Sequence, residues 1–91
     1  MYVEAESPYT GRRITIGKIK PNSRGYLPIL RSKDNLSYRT VRGTVSVSDC
    51  KAAVQLLVLQ WLQREAEKGR LSPVLRAQSQ AGMLLSAKLL G

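Results

Sequence analysis

The chain contains no histidine and no phenylalanine, and only one cysteine among its 91 residues. Without an imidazole, neither a Ser-His-Asp nor a Cys-His nucleophile can be assembled for work near neutral pH. No Ser, Thr or Lys is spaced to pair with another identifiable base. Zinc draws its ligands mainly from Cys and His, and Cys50 alone supplies no set, so neither metal nor cofactor is expected. A single cysteine closes no intrachain disulfide, a usage compatible with a reducing compartment. No run of 18 uncharged apolar residues occurs, so no membrane-spanning segment is expected. The first ten residues carry Glu4 and Glu6 and lack an apolar core, which argues against a secretory leader. These absences point away from an enzyme and toward a binding module in the cytoplasm or at the nucleoid.

Acid is also scarce. Six Asp and Glu stand against 15 Lys and Arg, for a net charge of +9. Hydrophobic residues make up 43% of the chain, which suits a folded domain rather than a disordered tail. A chain of this length forms one domain and buries roughly 60–65% of its extended surface. The expected core is small.

Residues 11–48 read as β structure. Arg13-Ile14-Thr15-Ile16 alternates, and Ile19 then appears with the opposite parity. A β-bulge at Gly17 would return Ile14, Ile16 and Ile19 to one face. Pro21-Asn22-Ser23-Arg24-Gly25 is turn chemistry. Tyr26 to Arg31 follows as a second strand, assigned to an edge because Pro28 has no N–H to donate. Ser32 to Asn35 reads as the next turn, Leu36 to Val41 as a third strand, and Thr44 to Val47 as a short fourth.

The remainder reads as helix. Ser48 or Asp49 is the N-cap of a helix over 49–68, closed by Gly69 as the C′ residue. Ser72 caps a second helix over 73–90, with Pro73 at its favoured first position. Val54, Leu57, Val58, Trp61 and Leu62 share one stripe and are predicted to cover the sheet. Leu56 and Leu59 project from the other side. Val74, Ala77, Ala81, Leu84 and Leu85 form a stripe on the second helix, which Leu89 continues. That stripe either folds back onto Leu56 and Leu59 or packs across a two-fold axis in a homodimer. The predicted fold is α+β: a single domain, residues 1–91, with a three- to four-stranded antiparallel sheet followed by two helices.

The charge is unevenly placed. Residues 11–44 hold Arg12, Arg13, Lys18, Lys20, Arg24, Arg31, Lys33, Arg39 and Arg42 against Asp34 alone. Such a cluster repels itself until an anion arrives, and nucleic acids are the abundant polyanions of the cell. Tyr9, Tyr26 and Tyr38 lie among these bases. A sheet face that interleaves Tyr with Arg can stack bases while holding phosphates. Arg12, Arg13, Lys18, Lys20, Arg24, Arg31, Arg39 and Arg42 are therefore expected at phosphates, and Tyr26 and Tyr38 at bases. Single-stranded DNA is the first expectation, with RNA or duplex DNA next. The competing reading is a small phage or bacterial regulator that binds an acidic protein, and another is a subunit of a ribonucleoprotein. Cys50 at a helix start reads as a small space-filling residue.

Ile16-Gly17-Lys18-Ile19-Lys20, then Tyr26 to Arg31, then Gly43-Thr44-Val45-Ser46-Val47-Ser48-Asp49 running into helix, resembles the positive cofactor 4 (PC4-like) family of single-stranded-DNA-binding coactivators. The likeness covers about residues 12–62. It implies a basic, aromatic sheet with Lys18, Lys20, Tyr26 and Arg31 toward DNA and a dimer interface on the 49–68 helix. The chain departs from the family in carrying Val54 where a tryptophan is usual, and in its second helix. The strands-then-helix order is also similar to AP2-type and integrase arm-type modules, which read duplex DNA with the sheet.

Overall fold

The structure, a computed structural model, describes residues 1–32 and 37–91. Its elements run β1 (Tyr2–Glu6), β2 (Arg13–Asn22), β3 (Gly25–Arg31), β4 (Tyr38–Arg39), α1 (Cys50–Glu67), α2 (Pro73–Ser86) and β5 (Lys88–Leu90). Among the described residues the strands form one five-stranded sheet in the order β4-β3-β2-β1-β5, antiparallel throughout. The α+β class holds, with more strands than the three or four predicted. No described helix is long and apolar enough to cross a membrane.

The bulge forms as the parity of the isoleucines requires. Val3 pairs with Gly17 while Glu4 pairs with Thr15, so Ile16 is the extra residue of β2. Ile16 and Ile19 are buried and Ile14 packs against the core they join. Gly17 is needed for space: a Cβ there would lie 2.3 Å from the Ile29 carbonyl oxygen and 2.9 Å from both methyls of Leu57. Gly25 ends the β2–β3 turn at φ +129°, a backbone shape that side chains rarely adopt.

β3 is not an edge strand, since β4 pairs with it on the side away from β2. The proline is tolerated because that outer side is only partly used. Tyr26 and Val47 exchange two backbone hydrogen bonds, of 2.7 and 2.9 Å, so Tyr26, Pro28 and Leu30 direct their backbone groups outward. β4 reaches only Leu30 and Arg31. Pro28 falls in the gap between, where no donor is asked of it. The predicted fourth strand, 44–47, is reduced to that single Val47 bridge. The predicted third strand is ordered as β4 over Tyr38–Arg39 only; its first residue, Leu36, and the turn residues Lys33, Asp34 and Asn35 lie outside the described residues.

The helix boundaries follow their caps. Asp49 accepts a hydrogen bond from the Lys51 N–H at 3.1 Å, Gly69 takes φ +74°, and Ser72 accepts from Leu75 N–H at 3.2 Å. Asp49→Ala is expected to cost about 1 kcal/mol, read as a lowered denaturant midpoint at constant slope. The predicted α1 stripe is the buried one: Leu57, Val58, Trp61 and Leu62 are core, and Val54 packs against it.

The second helix differs from expectation in two ways. It ends at Ser86, and Lys88–Leu90 becomes a strand beside β1. It also turns a different face inward. Met83 is buried, while Leu84 and Ala87 pack against the core. Val74 is 66% exposed and Leu85 87% exposed. Pairing of β5 with β1 begins two residues after the helix ends, so the chain passes from α2 straight into the sheet. Of the residues expected at a partner interface, Leu56 and Leu59 are half-buried within the chain. Leu84 is used in the core. Val74 and Leu85 face solvent.

Candidate nucleic-acid interface

Both helices pack on the sheet face that carries Val3, Ala5, Ile16, Ile19 and Leu30. Strand alternation sends their neighbours to the opposite face, which no described helix covers. Register assigns to it Tyr2, Glu4 and Glu6 of β1, with Arg13, Thr15, Lys18 and Lys20 of β2. Leu27 and Ile29 join them from β3, and Arg31 and Tyr38 from the β3–β4 pair. Lys88 and Leu90 complete it from β5.

Three of these side chains meet. The rings of Tyr2 and Tyr38 lie 5.9 Å apart at 57°, a tilted packing suited to aromatic pairs. The Lys18 ammonium stands 4.8 Å from the Tyr38 ring centroid, inside cation–π range. Lys20 and Ile29 share a shallow depression with Lys18 and Tyr38. The positive character is strongest on the β2–β3–β4 half. Toward β1, Glu4 pairs with Arg13 at 3.1 Å, and Glu6 adds a second carboxylate.

The structure thus brings together five of the ten predicted nucleic-acid residues, Arg13, Lys18, Lys20, Arg31 and Tyr38. Tyr26 is on the helix-covered side, packed against the core, because it shares the parity of Pro28 and Leu30. Arg39 pairs with Leu30 and shares that parity, although it is exposed. Arg12 lies in the β1–β2 connection, Arg24 at the β2–β3 turn and Arg42 in the turn after β4. Tyr2 and Lys88 complete the face without having been expected there. The alternation Tyr2-Val3-Glu4-Ala5-Glu6 is a strand signal that would have placed Tyr2.

At one end of the sheet the face meets a cleft of about 520 Å³, lined by Arg13, Thr15, Arg31, Trp61, Arg64, Glu65 and Arg70 among others. Its carboxylate is almost fully enclosed. Arg70 holds Glu65 through two hydrogen bonds, of 2.9 and 2.6 Å, and the Tyr9 hydroxyl donates to it at 3.1 Å. Hydrogen bonding from Arg70 holds the Glu65 carboxyl below the usual carboxylate range, against the opposing effect of burial. Burial, followed by the hydrogen bond to Glu65 and then its charge, pushes the Tyr9 hydroxyl up.

Compared with known proteins, the chain matches no protein family, no curated protein and no solved structure.

Proposed function

We propose that the chain is a non-enzymatic nucleic-acid-binding protein that holds single-stranded DNA across its helix-free sheet face. Lys18, Lys20 and Arg31 would meet phosphates, and Tyr38 and Tyr2 would stack bases. The observation that carries this reading is the cluster of Tyr2, Tyr38 and Lys18 on an uncovered face, since a stacking platform beside cations is what sequence-tolerant strand binding requires. Arg12, Arg24 and Arg42 would extend the electrostatic attraction from loops without touching bases.

Tyr38→Ala is expected to weaken binding of a single-stranded oligonucleotide about tenfold or more, the worth of one stacked base. Lys18→Ala with Lys20→Ala should flatten the plot of log affinity against log salt by about 1.4, or 0.7 for each lost phosphate contact. Fluorescence anisotropy at several salt concentrations reads both. Parental affinity and slope in these variants would overturn the proposal. The competing reading, an acidic protein as partner, draws on the same cations but leaves the tyrosine pair unused; it predicts partner binding that excess oligonucleotide does not displace.

A further inference from the structure

The cleft beside the open face is built from segments distant in sequence: Arg13 from β2, Arg31 from the end of β3, Arg64 from α1, and Arg70 from the turn after it. Four guanidinium groups converge there, and among the described residues two carboxylates answer them. Glu4 takes Arg13, and Glu65 is occupied by Arg70 and the Tyr9 hydroxyl. Arg64 reaches Glu65 only at 3.6 Å through Nε and spends another nitrogen on the Arg31 carbonyl oxygen. Among the described residues, Arg31 makes no ion pair.

A second observation points the same way. Among the described residues, the Nε atoms of Arg31 and of Arg64 have no hydrogen-bond acceptor; both are closed to solvent, so a ligand would be met by the terminal guanidinium nitrogens instead. Buried donors are nearly always satisfied, and two orphans in one cleft call for an explanation. Among the described residues, the cleft holds more cationic donors than carboxylates to answer them. One wall carries Trp61, whose ring lies 6.2 Å from that of Tyr9, so an apolar surface stands next to the excess charge.

We infer that this cleft binds a phosphomonoester, carried either by a free nucleoside monophosphate or by the phosphorylated end of a nucleic-acid strand. A monoester carries close to two negative charges near pH 7 and three acceptor oxygens. A diester in mid-strand carries one charge. Guanidinium groups match phosphate oxygens in bidentate geometry; Arg31, which has no ion pair among the described residues, and Arg64, which shares Glu65 with Arg70 at the longer distance, supply charge for a dianion. Thr15, Arg13 and Arg31 belong both to the cleft and to the open face, so a strand lying across that face would deliver its end into the cleft. The strand-end form of the inference rests on the proposed function; the mononucleotide form does not.

Trp61 is the only tryptophan and lines the cleft, so its emission reports on the unmodified protein. At constant ionic strength, uridine monophosphate and inorganic phosphate are expected to change that emission saturably, and uridine or added chloride is not. Arg31→Gln should weaken the phosphate response roughly tenfold, the worth of a charge-assisted hydrogen bond. Lys51→Gln, in the first turn of α1 and at the far end of that helix from Arg64, should leave it unchanged. Absence of a saturable response in the parent protein, or an equal response to uridine, overturns the inference whatever the variants do.

Oligonucleotides ending in phosphate or hydroxyl then separate the two sources. Tighter binding of the phosphorylated strand than of both the hydroxyl-ended strand and the mononucleotide assigns the cleft to strand ends. A mononucleotide response with no gain from a terminal phosphate assigns it to nucleotides. Failure of the open-face reading shows separately, as a hydroxyl-ended strand indifferent to Tyr38→Ala.

Discussion

Gly17→Ala is expected to remove about 3 kcal/mol of folding stability, the upper end of what overpacking and backbone displacement cost. A domain of this size has roughly 5–14 kcal/mol to lose, so the change would take a large share of it. The cause is local and double. An added Cβ meets the Ile29 carbonyl oxygen of the paired strand at 2.3 Å and the two methyls of Leu57 at 2.9 Å. A leucine methyl can rotate away, but a carbonyl in a sheet ladder moves only with its strand. Leu57→Ala added to Gly17→Ala should therefore fail to restore stability. Urea unfolding of the single and double variants measures this. A loss below about 1 kcal/mol for Gly17→Ala would show that the bulge can flatten, and the shared face of Ile14, Ile16 and Ile19 would then need another explanation.

Glu65→Gln should cost about 2–3 kcal/mol, because removing a buried charge leaves its donors imperfectly answered. Arg70, Arg64 and the Tyr9 hydroxyl all converge on this one carboxylate, and it is only 5% exposed. The parent protein should show the same dependence as a function of pH. The native carboxyl titrates below its unfolded value, so its contribution is complete above the ordinary glutamate range of about 4.3. It is lost progressively as pH falls from there through the lowered native value. Glu65→Gln removes this group's share of the acid-side loss, so the parent and variant melting temperatures should converge on acidification. Parallel curves down to pH 3 would mean that Glu65 carries no native ion pair.

Both predictions concern residues whose roles were unequally legible. Gly17 could be read from the parity change between Ile16 and Ile19, a signal contained within four residues. The caps at Asp49 and Ser72, Pro73 at the helix start, Gly69 and the Pro21–Gly25 turn were readable for the same reason. Each depends on side chains meeting backbone close by in the chain. Glu65 carried no such signal. Its partners Tyr9 and Arg70 lie on separate connections, and only the packing of α1 against the sheet brings Tyr9 to it.

The misplaced segments share this property. Lys88-Leu89-Leu90 continues the helical spacing of Leu84 and Leu85, and it becomes a strand only because β1 offers it a ladder. Thr44 to Val47 alternates like a strand, yet only Val47 finds a partner. The concentration of cations in residues 11–44 was plain from composition. Their distribution over two faces, the loops and the cleft depends on the bulge and on the strand register. Tyr26 shows this most directly, since a tyrosine between basic residues looked available for stacking and strand parity turns it toward the core.

The pairing of residues 2–4 with residues 88–90 bears on how the chain is made. As it leaves the ribosome, the β1–β2–β3 meander can assemble early, but the outer side of β1 stays open until β5 emerges. Closing that seam requires contacts between residues more than 80 apart, Glu4 with Lys88 and Tyr2 with Leu90, which are expensive in loop entropy and slow to form. Until then a nascent molecule displays an unprotected strand able to recruit another of its kind. Deleting residues 88–91 would make that transient exposure permanent, and aggregation during expression is its expected signature.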